Sequence, residues 1–136
     1  MSHHNAQAVR SVYEAFGKGD LPAVLAAFDP QIEIVEAESL PYAGIYRGHE
    51  GVSQLMQTIG DVWEVFDVSM ERLVAHDDEV IAFLQIKARL RGSARPLEMP
   101  VIEVWKLRDG KVLGIRPFYW DTGAIARAWA ERVVPV

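Results

Sequence analysis

Apolar positions recur every three to four residues at the start of the chain and every second residue over most of its latter half. Ala6, Val9, Val12, Tyr13 and Phe16 share one face of a predicted amphipathic helix that ends near Gly17 to Gly19. Asp20 then stands as the cap of a short second helix, its carboxylate placed to accept from first-turn amides, with Leu21, Val24, Leu25 and Phe28 on one face. From Gln31 the period falls to two. Ile32, Ile34 and Glu36 point one way and Glu33, Val35 and Ala37 the other, which predicts a short strand. A loop from Ser39 to Gly48 leads into a third helix that carries Val52, Leu55, Met56 and Ile59 on one face and stops near Gly60.

The rest reads mostly as strand, over about Trp63 to Ala75, Glu79 to Arg91, Leu97 to Leu107 and Lys111 to Trp120, each rich in β-branched and aromatic residues. Asp77-Asp78 and Asp109-Gly110 are tight hairpin turns and Gly92-Ser93 starts a longer loop, so consecutive strands are expected to pair antiparallel. Ile125, Ala126 and Trp129 return to helical spacing. Helices gathered early and a strand meander late make the class α+β, with helices on one face of the sheet. No boundary, repeat or low-complexity segment interrupts the chain, and one domain over residues 1–136 is expected. Strands such as Met99 to Leu107 are apolar on both faces, so both faces of the sheet should be covered, one by helices and the other by a second copy of the chain. A twisted monomer with scattered surface hydrophobes is the other outcome.

Composition narrows the function. With 19 Asp and Glu against 14 Lys and Arg the net charge is −5, opposite to what a nucleic-acid partner needs. The absence of cysteine removes disulfides, thiolate nucleophiles and thiolate metal ligands. The longest apolar run, Leu21 to Phe28, is far short of a membrane span, and no cationic-then-apolar leader opens the chain, so a cytoplasmic protein is expected. Phosphate-binding loops, dinucleotide fingerprints, hydrolase elbows and zincin motifs are all missing from the sequence.

Candidate chemistry lies in charges set where the pattern calls for apolar residues. Glu36 shares the inward face with Ile32 and Ile34, which sends its carboxyl into a partly dry space unless the strand ends early and releases it to solvent. Glu103 alternates with Val101, Trp105 and Leu107 and is either a pocket acid or one half of an ion pair with Arg89 or Arg116. Asp121 is either an acid beside Tyr119 or the cap of the last helix. Tyr13, Tyr42, Tyr46, Trp63, Trp105 and Tyr119 are the candidate wall residues, aromatics that combine apolar area with a polar handle. His49 and His76 read as capping or surface groups, and neither belongs to a metal-ligand pair.

Four runs carry a resemblance across nearly the whole chain: Tyr13 to Asp20 (YEAFGKGD), Tyr46 to Gly51 (YRGHEG), Val104 to Val112 (VWKLRDGKV) and Phe118 to Asp121 (FYWD). The sequence resembles the SnoaL-like branch of the nuclear transport factor 2-like superfamily, which also holds ketosteroid isomerase and limonene epoxide hydrolase. The resemblance implies an α+β roll, a cone-shaped antiparallel sheet around a long helix, dimers through the sheet and a pocket for a small apolar molecule. It implies an isomerase or cyclase of lyase type acting on a small carbonyl compound without metal or organic cofactor, or a non-catalytic binding or dimerisation module of the same fold. Against ketosteroid isomerase the base position resembles Glu36 and the protonated-acid position Glu103, while the oxyanion tyrosine falls on Val12, one residue from Tyr13. A SnoaL-type cyclase needs little beyond a placed carboxylate and an apolar enclosure.

Overall fold

A computed structural model describes residues 2–134. Helix α1 runs Ser2–Gly17 and helix α2 Leu21–Ala26, joined through Gly19, whose positive φ of 68° is left-handed. The Asp20 carboxylate accepts from the Ala23 amide at 3.2 Å, as a cap should. Strand β1 then spans Phe28–Glu36, β2 Gly44–Arg47, α3 Gly48–Val62, β3 Trp63–His76, β4 Glu79–Leu90, β5 Leu97–Arg108, β6 Lys111–Tyr119 and α4 Thr122–Glu131.

The six strands form one curved open sheet in the order β2-β1-β6-β5-β4-β3. Register irregularities in β3 near Val65 and between Met70 and Arg72, and in β5 between Lys106 and Leu107, bend it around α1 and α3. Period-two patterning holds along β4, where Val80, Ala82, Leu84, Ile86, Ala88 and Leu90 all face the helices and are buried. Among the described residues no helix is long and apolar enough to cross a membrane.

Three expectations need correction. Phe28 opens β1 rather than closing α2, because Pro30 disfavours helix at the residue before it and the chain extends early. The loop after β1 contains β2, which pairs Glu36 with Gly44 and Glu33 with Arg47. And β1 lies parallel to β6, Ile34 beside Ile115, so the sheet is antiparallel everywhere but there.

Candidate active site

The parallel pair brings the acids together. Glu103 stands opposite Pro117, and carrying the Ile34–Ile115 register two residues on sets Glu36 beside Pro117 as well. The two carboxyl-bearing residues therefore flank Pro117 in one row across β1, β6 and β5, about 10 Å apart at Cα for two strand spacings. Their side chains face a cavity of about 90 Å³ beneath α1 and α3, walled mainly by apolar groups such as Val12, Leu55, Phe66 and Ile86. Phe16, Met56, Ile59 and Phe66 also line a second, outer cavity of about 580 Å³.

Glu36 is 5 % exposed, and its Oε1 is buried without a hydrogen-bond partner. Loss of hydration raises its pKa to about 8, with the nearby Glu103 charge adding to the effect. The Glu103 residue keeps some exposure, but its carboxyl end is enclosed and burial pushes it up, opposed by the Tyr13 hydroxyl and the indole of Trp105. Neither acid belongs to an ion pair among the described residues, so the expected alternative of an arginine partner for Glu103 is not met.

Two aromatic relays hold the polar groups. Tyr13 donates to Glu103 Oε1 and accepts from the Trp105 indole at 3.0 Å, its ring 5.2 Å from that of Trp105. Tyr42 and Tyr119 share a hydroxyl contact of 2.8 Å, and the Trp63 indole donates to Tyr42 at 3.2 Å. Burial raises all three phenols above the ordinary tyrosine range.

Of the expected wall residues, Tyr13, Trp105 and Tyr119 line the cavity together with Glu36 and Glu103. Tyr42, Tyr46 and Trp63 stand behind the wall; Tyr46 bonds the Tyr42 carbonyl at 2.9 Å and so braces the loop before β2. Asp121 lies outside. Its carboxylate accepts from the Ala124 amide at 2.9 Å and caps α4, which the pocket reading of this residue does not survive. His49 bonds the Phe28 carbonyl at 2.8 Å and His76 is exposed at the β3–β4 turn. Sequence reasoning missed Pro117 as the floor and Phe28 and Phe66 as wall, since only the sheet order brings them to one place. Among the described residues no three His, Asp or Glu side chains gather as a metal site.

Residues 9–115 match the SnoaL-like domain family. An uncharacterised protein of Mycobacterium tuberculosis is 26 % identical over 127 residues, covering 90 % of this chain and 93 % of its own. An NTF2-like protein from Burkholderia xenovorans LB400 superposes with a TM-score of 0.83 at 28 % identity, over 94 % of this chain and 97 % of its own. A protein from Jannaschia sp. CCS1, described as a candidate SnoaL-like polyketide cyclase, shares the fold at a TM-score of 0.83 and 16 % identity, over 97 % of this chain and 95 % of its own. With the match spanning most of its length and the same curved sheet beneath it, the chain belongs to the SnoaL-like domain family of the NTF2-like superfamily.

Proposed function

We propose that this protein is an isomerase or cyclase acting on a small apolar carbonyl compound, with Glu36 as general base. The observation that carries the reading is one buried, unpaired carboxyl facing an apolar cavity. A carboxylate without partners is a strong base, and an apolar enclosure brings its pKa close to working pH, where acid–base catalysis is most efficient. Glu36 takes a proton from the carbon beside the carbonyl, the charge moves to the carbonyl oxygen, and a polar group of the wall receives it. Glu103 faces the substrate across the Pro117 floor as the second acid, with Tyr13 bonded to it.

The test is proton–deuterium exchange into a panel of small ketones. Wild type should catalyse exchange into at least one, and Glu36→Gln should lower that rate by about a hundred- to ten-thousand-fold. Equal rates for the two proteins would leave the second reading, a non-catalytic binder. The inner cavity of about 90 Å³ lies below the roughly 300–1,000 Å³ common for ligand sites, which favours the other form of that alternative, a dimerisation module with a largely filled interior. The partners in either case are the small apolar ligand and a second copy of the chain across the outer sheet face, and the location is cytoplasmic.

A further inference from the structure

The Tyr42–Tyr119 pair holds two hydroxyl protons but only one oxygen–oxygen contact, of 2.8 Å. One proton lies between the oxygens and the other points elsewhere. Trp63 restricts the choice, because an indole N–H only donates and its target is the Tyr42 oxygen. Were Tyr119 to donate to Tyr42, the Tyr42 oxygen would accept twice and its own proton would meet no acceptor. Tyr42 is 1 % exposed and does not line the cavity, so that donor would be orphaned. With Tyr42 donating to Tyr119, nothing in Tyr42 is unsatisfied, and the spare proton belongs to Tyr119, which does line the cavity. The second arrangement is the better one because it sets the spare proton at the cavity, where a ligand oxygen can meet it, instead of behind the wall.

Tyr13, the other phenol of the wall, spends its proton on Glu103 while accepting from Trp105. No hydrogen bond among the described residues ties Tyr119 to Glu36, whose Oε1 is unpartnered. Tyr119 thus keeps a hydroxyl proton free inside the enclosure that holds the free carboxyl.

We propose that Tyr119 is the donor that receives the ligand oxygen, an enolate or phenolate oxyanion, and that Tyr42 and Trp63 are positioning residues that aim its hydroxyl. The proposal rests on the reading of Glu36 as base. As the carbon–hydrogen bond breaks, the proton goes to Glu36, its electron pair forms the carbon–carbon double bond, and the carbonyl pair settles on the oxygen at Tyr119. Trp63 and Tyr42 each donate to the next group, so charge arriving at Tyr119 is shared along a line of polarised bonds.

The experiment uses the Glu36→Gln protein, in which the base is neutral, and para-nitrophenol, whose ionisation is visible by absorbance. Replacing Tyr119 by Phe should weaken phenolate binding at least tenfold and raise the bound ligand's pKa by about one unit, since a hydrogen bond to a charged oxygen is lost. Tyr42→Phe and Trp63→Phe should weaken it by about two- to fivefold, with nitrobenzene affinity unchanged in all three as the sign of an intact cavity. If Tyr119→Phe also loses nitrobenzene, a ring-fluorinated tyrosine at 119, a stronger donor, should tighten phenolate binding. Unchanged phenolate affinity in Tyr119→Phe, no response to the fluorinated residue, or loss of the phenolate in Tyr13→Phe instead would overturn the assignment. These outcomes are separate from the exchange assay: exchange that depends on Glu36 with phenolate binding indifferent to Tyr119 sinks only this proposal, and the reverse sinks only the catalytic reading.

Discussion

Glu36 occupies a position that alternation reserves for an apolar side chain, and the cost of that choice is readable in stability. Folding raises its pKa from an ordinary 4.5 to about 8. Below about pH 4.5 the group is neutral in both folded and unfolded chains. Between there and about pH 8 the unfolded carboxyl ionises and the folded one does not, so the unfolded state binds fewer protons and stability falls as pH rises. The full difference is on the order of 5 kcal/mol above pH 8. Glu36→Gln removes this titration, so its melting temperature should gain on wild type steadily between about pH 5 and 8; parallel pH curves for the two proteins would place the Glu36 carboxyl in water. At this scale the sequence was informative. Period two put Glu36 inward with Ile32 and Ile34 and grouped Glu103 with Val101 and Trp105, but β5 is apolar on both faces, so for Glu103 alternation left the inward face open. It could not show that Tyr13 reaches Glu103, because that bond joins residues ninety positions apart on a helix and a strand.

Among the elements, α4 shows how a polar residue near a site can serve structure alone. Asp121 holds the first turn of α4 and lies 3.9 Å from Arg127, with its side chain about half exposed. Asp121→Ala should lower stability by about 1 kcal/mol in a denaturant titration and leave ketone exchange within about twofold. A tenfold loss of exchange would return Asp121 to the site. Long elements were legible because each repeats its pattern over several turns or pleats, as β4 does from Val80 to Leu90. Strand β2 was not. Its four residues are too few to display alternation, three of them are exposed, and Gly44 sits at a φ of 131°. What defines it is the edge of β1, which offers backbone groups to Gly44 through Arg47.

For the molecule as a whole, the outer sheet face carries Ile102 and Phe118 as a cross-strand pair, 37 % and 53 % exposed, near the still more exposed Trp120. A second copy seated there would bury this strip. Sedimentation should give a two-chain mass for wild type and a one-chain mass for Phe118→Glu, while a wild type that is monomeric at every concentration would refute the dimer. Patterning on both faces of β5 is the reason to expect a covered outer face, which in the single chain is left exposed at Ile102 and Phe118, while nothing local announced the parallel β1–β6 pair, since strand order follows from packing around the helices. That pair is what sets Glu36 and Glu103 on either side of Pro117 and so creates the cavity's chemistry. The most direct measurement is therefore the pH dependence of ketone exchange. Wild-type catalysis should climb about tenfold per pH unit and level off near pH 8, where Glu36 becomes ionised, and Glu36→Gln should lack the rise. A wild-type profile already flat from pH 5 to 9, or the same climb in Glu36→Gln, would mean that Glu36 is not the base.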